Sequence, residues 1–273
     1  MPTVAEKRAA FAALHQSGTF VLPNPWDAGS AILLQSIGFK ALASTSAGMA
    51  WGWGRPDGKV TVEEVIGHLR ALNGAVDLPI NADFENGFAH DPDGVAANVR
   101  LAEQAGVAGL SIEDATGDAQ SPLYDFELAV DRVSAAAAAL RGTGVILTAR
   151  SEGFIRGRPD LDETIRRLEA YAAAGADCLY APGLRDEATI AAVVGAVAPK
   201  PVNVLTPGLP VSVLSALGVR RISVGGGLAS AAWGAFLRAA REIAADGTFT
   251  ALQGGAPGRE LNGLFARGFP PET

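Results

Sequence analysis

The chain has 273 residues, 48% of them hydrophobic and 19% charged, which is ample material for a large core and too apolar for disorder. A net charge of −7 and a pI near 5.0 argue against nucleic acid as a partner, because neutralising phosphates needs clustered Lys and Arg. No apolar run reaches the roughly 18 residues of a membrane span, and the first ten residues carry charges but no apolar signal core, so a cytoplasmic protein with no membrane partner is expected.

In chain order, strands are predicted near 18–22, 39–44, 78–83, 109–113, 144–149, 177–181, 201–204 and 220–224. One phrase recurs four times: Ile37-Gly38-Phe39, Ala105-Gly106-Val107, Ala174-Gly175-Ala176 and Leu217-Gly218-Val219. Each reads as a helix end, a glycine cap and a short strand buried on both faces. Helices are predicted between the strands, among them Val95 to Gln104, Leu128 to Leu140, Leu161 to Ala174 and Ala229 to Ala245. Strict alternation implies a parallel sheet, and eight units imply closure into a (β/α)8 TIM barrel, a fold that typically needs about 250 residues. The barrel is expected to occupy 1–245, with 246–273 a C-terminal extension packing on the barrel or on a neighbouring subunit. A doubly wound nucleotide-binding sheet is the rival, but Asn24-Pro25-Trp26-Asp27 follows the first strand where a glycine-rich fingerprint would stand.

Active sites of such barrels lie at the carboxyl ends of the strands. Strand 2 delivers Ser44 to Gly48 there, strand 3 Asp83 and Glu85, strand 4 Glu113 and Asp114, strand 5 Arg150 to Glu152, and strand 7 Asn203 and Thr206. Crowded carboxylates repel and raise one another's pKa unless a cation joins them. An oxygen-only ligand set and three histidines away from the strand ends favour Mg²⁺, with Mn²⁺ possible, over zinc. The alternative is that Asp83, Glu85 and Glu113 are solvated strand-end acids or helix N-caps. Asp114 could line the site or turn away to a structural partner. The single cysteine, Cys178, falls mid-strand and reads as a buried inert thiol.

Taken in order, Asn24 to Ala31, Ser46-Ala47-Gly48, Arg55 to Gly58, Asp83-x-Glu85-x-Gly87-Phe88, Gly109 to Asp114, Ala149 to Glu152 and Asn203 resemble the isocitrate lyase / phosphoenolpyruvate mutase superfamily. The resemblance implies a Mg²⁺-dependent enzyme that makes or breaks a C–C or P–C bond beside a 2-oxo acid through a metal-stabilised enolate. It implies Asp83 and Glu85 as metal ligands, directly or through water, Glu113 through water, and Asp57 as support for the metal's water shell. It further implies that Ser46, Ala47 and Gly48 bind substrate oxygens, partly by backbone N–H groups, that Arg150 pairs with a substrate carboxylate or the enolate oxygen, and that Asn203 contacts the distal part. Asp83 thereby also borders the substrate.

The lyases of the superfamily carry a Lys-x-Cys-Gly-His type loop after strand 4, where this chain has Ala115 to Tyr124 without Cys, Lys or His. Members that process phosphonates carry Lys and Asn there, also missing. Glu85 replaces a second aspartate, and Ser151-Glu152 replaces Thr-Asp. The expectation is therefore C–C cleavage, such as decarboxylation or retro-aldol cleavage, of a 2-oxo (di)carboxylate or its aldol adduct. Oxaloacetate, pyruvate or 2-oxoglutarate is the expected small-molecule partner, with water or Tyr124 as proton donor. Phosphoenolpyruvate mutase or phosphonopyruvate hydrolase chemistry, and a non-catalytic 2-oxo acid-binding barrel, remain as alternatives.

Gly225-Gly226-Gly227 after strand 8 reads either as a phosphate cradle or as a tight turn needing positive φ. Met49 to Gly54 reads as a lid, a pocket wall or a subunit contact. The resemblance also implies a homodimer or homotetramer in which the last barrel helix is exchanged between subunits; the alternative is that Trp233 to Ile243 packs on its own barrel.

Overall fold

The computed structural model describes residues 1–206 and 208–266. Eight parallel strands run in the order β1-β8-β7-β6-β5-β4-β3-β2: β1 (Phe20–Leu22), β2 (Leu42–Ala43), β3 (Ile80–Asp83), β4 (Gly109–Glu113), β5 (Ile146–Arg150), β6 (Cys178–Tyr180), β7 (Val202–Leu205) and β8 (Arg221–Ser223). The amide of Ala43 donates to the Pro23 carbonyl at 3.0 Å across the seam between β1 and β2, so the sheet is a nearly closed (β/α)8 barrel. All eight predicted strands are present. The four recurring glycines, Gly38, Gly106, Gly175 and Gly218, each hold positive φ between 85° and 110°, as a left-handed residue at the start of a strand approach requires.

The helices are α1 (Val4–Leu14), α2 (Ala28–Ile37), α3 (Ser46–Gly52), α4 (Val62–Ala75), α5 (Pro92–Gln104), α6 (Phe126–Leu140), α7 (Leu161–Ala173), α8 (Glu187–Ala196), α9 (Val211–Ala216), α10 (Gly227–Asp246) and α11 (Gly258–Phe265). Many are started by a side chain that accepts a backbone N–H: Asp27, Thr61, Asp91, Asp160 and Asp186 all do this. None of Asp83, Glu85 and Glu113 stands at the N-cap position of a helix, although Asp83 accepts the amide of Ser46, the first residue of α3.

Helix α1 was not legible in the sequence, although Thr3 and Glu6 form a capping box at its start. It closes the amino-terminal end of the barrel. Phe11 is fully buried against Leu22, Ala41, Ala43 and Ala108. Gly109 makes room for it, since a Cβ there would lie 2.6 Å from the Phe11 ring and 2.7 Å from the Asn81 amide oxygen. Lys7 donates to the carbonyls of Asn73 and Val76 at the end of α4. Arg8 donates to Glu103 at the end of α5, and to Val107 and Thr143. Two cations thus satisfy the carbonyl ends of two neighbouring helices.

At the other end of the chain, Ala229 is the buried residue among the twenty of α10, and Trp233, Phe236 and Leu237 are 39%, 61% and 44% exposed. The apolar stripe of α10 is therefore not covered by its own barrel. Helix α11 returns to pack on α2, and residues 267–273 of the expected extension lie outside the described residues.

His15, at the end of α1, is buried edge-on between Phe11 and Phe20. Burial pushes its pKa from 6.5 down to about 4, helped by Arg221 and opposed by the Phe11 carbonyl. The unfolded chain takes up this proton near pH 6.5 and the folded chain only near pH 4. The stability His15 confers is thus whole above pH 6.5 and is lost as pH falls towards 4, by on the order of 3 kcal/mol. Denaturant titrations at both pH values should show this loss, and His15→Gln should shrink it; equal losses in the two proteins would refute the assignment.

Candidate active site at the carboxyl ends of the strands

Arg150, the last residue of β5, is 13% exposed and sits among three carboxylates. Its Nη1 lies 2.7 Å from Asp83 Oδ1, and its Nη2 lies 2.8 Å from Glu152 Oε1 and 3.2 Å from Glu113 Oε2. Parallel register brings them together, since Glu113 and Arg150 are directly paired on β4 and β5, and Asp83 is one strand further on. The guanidinium also stands 5.0 Å from the Tyr180 ring centroid. Burial alone would lower the pKa of Arg150, but Glu152, Glu113 and Asp83 outweigh it and hold the group well above its ordinary value. Arg156 adds a second cation, 3.2 Å from Glu113 Oε1 and 3.4 Å from Glu152 Oε2.

Two cavities meet at Arg150. The inner one, about 180 Å³, is lined by Ser46, Ala47, Asp83, Asn203 and Arg221 among others. The outer one, about 530 Å³, is lined by Lys59, Glu85, Glu113, Thr116, Glu152 and Arg156. Ser46, Asp57 and Arg150 belong to both. Asp83, Glu85, Glu113, Asp57, Arg150, Ser46, Ala47 and Asn203 are thereby gathered at one end of the barrel.

Three residues stand apart from their expected places. The Tyr124 hydroxyl bonds to His90 Nδ1 at 2.7 Å and accepts from Asn86 at 3.3 Å, beneath the Arg132 guanidinium, and Tyr124 lines neither cavity. Gly48 lines neither as well. It sits in the first turn of α3, where a Cβ would come within 2.9 Å of Trp26 and 3.2 Å of Ala229, so its small size serves close packing. Its amide, moreover, donates to Thr45 Oγ1, while that of Ser46 donates to Asp83 Oδ2. Asp114 turns outward: its Oδ2 accepts from Tyr171 at 2.7 Å and pairs with Arg167 at 3.2 Å, and its Oδ1 accepts from the Glu152 amide. Asp114 therefore positions Glu152, which itself reaches the cavity.

The glycine run after β8 is a turn. Gly225 has φ +53°, its amide and that of Val224 donate to Asn24 Oδ1, and that of Gly227 donates to the Val224 carbonyl. The amides of Val224, Gly225 and Gly227 are thereby engaged within the turn and with Asn24. Not expected from the sequence were Lys59, Arg156, Tyr180 and Arg221. The last two lie on β6 and β8, strands whose inward-facing positions could have been found by following the alternation of side chains.

The donor set suits a hard cation. Glu85 occupies a left-handed conformation at φ +45°, its Oε1 is buried without a hydrogen-bond partner, and burial, with Asp83 and Asp57 adding, pushes its pKa to about 7. Burial likewise pushes Glu113 to about 8, Arg150 opposing and Glu152 and Asp83 adding. Among the described residues no three acidic, imidazole or thiol side chains converge as a ready-made cage.

Fold and rim together define a (β/α)8-barrel protein with a carboxylate-rich site at its strand ends. The profile of the phosphoenolpyruvate phosphomutase family matches residues 11–244, and the chain belongs to that family. A candidate lyase/mutase from Burkholderia cenocepacia J2315 is 50% identical, with a TM-score of 0.94 over 98% of both chains. Oxaloacetate decarboxylase from Rhodopseudomonas palustris (strain TIE-1) is 29% identical over 95% of this chain and 89% of its own. Phosphonopyruvate hydrolase, in a crystal structure with oxalate and Mg²⁺, is 25% identical, with a TM-score of 0.85 over 96% of this chain and 95% of its own. The sequence resemblance is thus borne out at the level of the superfamily.

Removing the buried Asp114 carboxylate would leave Arg167 with Glu163 as its one carboxylate, leave the Tyr171 hydroxyl without its acceptor and release the Glu152 amide. Asp114→Ala should cost about 3–5 kcal/mol, read by denaturant unfolding; a loss below about 1 kcal/mol would show that the pair is not structural.

Proposed function

We propose that the protein is a Mg²⁺-dependent carbon–carbon lyase of the decarboxylase or retro-aldol type, acting on a 2-oxo dicarboxylate or its aldol adduct. The observation that carries this reading is Arg150, fixed among Asp83, Glu113 and Glu152 where the two cavities meet. Asp83 and Glu85 would hold the ion, with Asp57 and Glu113 ordering its water. When bound there, Mg²⁺ supplies Lewis-acid chemistry that favours negative charge on the substrate's 2-oxo oxygen.

The chain's own residues do the rest. Arg150 offers its guanidinium to the substrate carboxylate or to the oxygen that gains charge as the C–C bond breaks, and its ion pairs fix it in place beforehand. Ser46 and Ala47 border the same cavity, and the Ala47 amide has no partner among the described residues. The loop 115–124 contributes Ala115, Thr116 and Gly117 to the outer cavity, and the Thr116 hydroxyl is occupied by the Ser121 carbonyl. With Tyr124 turned to His90, the proton that quenches the carbanion comes from water in the outer cavity.

Lys59 and Arg156 place positive charge in that cavity from outside the loop, which keeps phosphonopyruvate in the substrate panel. The uncovered α10 stripe supports a homodimer or homotetramer with α10 exchanged between subunits, which light scattering would test. The purified protein with Mg²⁺ should release pyruvate from oxaloacetate or another 2-oxo diacid, and Arg150→Gln should lower kcat/KM by about a hundredfold or more. Failure to turn over any 2-oxo diacid or aldol adduct would end the lyase reading, and turnover of phosphonopyruvate alone would replace it with P–C cleavage.

A further inference from the structure

Arg221 is 2% exposed in the interior of the barrel and lines the inner cavity. Each of its partners is uncharged. Nε donates to Asn203 Oδ1 at 2.8 Å and Nη2 to Thr148 Oγ1 at 3.0 Å. Nη1 makes only long contacts, 3.4 Å to Asn81 Oδ1 and 3.5 Å to His15 Nε2, and His15 is neutral above about pH 4. A guanidinium carries five N–H donors, so four contacts, two of them weak, leave its capacity unfilled. Arg150, by contrast, has three carboxylates and Arg167 has Asp114 and Glu163, while Arg132, equally buried, donates to the backbone carbonyls of Asn86, Ala89 and His90 and lines neither cavity.

A buried cation with no counter-charge is costly, and such groups persist where an anion completes them. Of the two carboxylates that line the cavity, Asp83 is held by Arg150 on one oxygen and by the Ser46 amide on the other, and Asp57 is exposed and borders the outer cavity as well. Two guanidiniums therefore border one small polar chamber, Arg150 at its mouth and Arg221 at its floor, with Asn203 and Ser223 beside Arg221. We infer that Arg221 is a specificity-determining residue that receives the distal acid group of the substrate, so that the chamber selects a 2-oxo diacid over a 2-oxo acid of the same length ending in a methyl group. The inference rests on the 2-oxo acid reading of the site, with the head group at the Arg150 end. Asn203 then acts through Arg221, fixing the guanidinium by its side-chain oxygen.

The test is calorimetric and needs no turnover. With Mg²⁺ present, the full-length protein is titrated with 3,3-difluorooxaloacetate and 2-oxoglutarate, each against its methyl-ended counterpart, 3,3-difluoro-2-oxobutyrate or 2-oxopentanoate, and with oxalate as a probe of the head-group end alone. Wild type should prefer one diacid to its counterpart by about tenfold or more, the scale of a hydrogen bond to a charged group. Arg221→Met should reduce that preference to within about twofold while leaving oxalate affinity unchanged, and Arg221→Lys, which keeps the charge, should retain part of it. No preference in wild type, an undiminished preference in Arg221→Met, or an equal loss of oxalate and diacid affinity would each overturn the inference. If Arg221→Met does not fold, the wild-type comparison and Arg221→Lys decide. A preference that depends on Arg221 in a protein without lyase activity would sink the proposed reaction alone, and lyase activity without the preference would sink this inference alone.

Discussion

One buried guanidinium organises the carboxyl end of this barrel. Asp83, Glu113 and Glu152 arrive from three different strand ends, and without Arg150 between them their mutual repulsion would favour either protonation or separation. With it, the acids stay close and face two cavities at once. Burial, with neighbouring carboxylates adding, still raises the pKa values of Glu85 and Glu113.

The same geometry divides labour between neighbouring residues. Glu113 and Asp114 are adjacent in sequence yet serve opposite faces, one turned to Arg150 and the other to Arg167 and Tyr171 of α7. Asp114 in turn accepts the Glu152 amide, so the outward acid braces the inward one through the backbone. The rim is thereby tied to the surrounding helices, and the position of Glu152 depends on a residue that never meets the cavity.

The barrel was legible because its rhythm is written in local chemistry: four glycine caps, each followed by a strand buried on both faces. The acids and Arg150 were legible because strand ends are where such barrels work. What the sequence concealed was phase and direction. The run Ser111 to Asp114 carries two carboxylates and no mark of which one points inward, and Tyr124 looks like a donor until its hydroxyl is found against His90. Helix α1 was hidden because Lys7 and Arg8 give it a polar face, yet both are used to satisfy carbonyls of α4 and α5. Arg221 escaped notice because a charged residue in a short strand beside Arg220 resembles an ordinary solvated pair.

The plug formed by α1 has a consequence for traffic. With Phe11 seated beneath the strands and Gly109 shaped to receive it, the amino-terminal end of the barrel is filled by a side chain of α1 among the described residues. A ligand of the inner cavity would therefore approach from the carboxyl ends of the strands, where Arg150 stands between the two cavities.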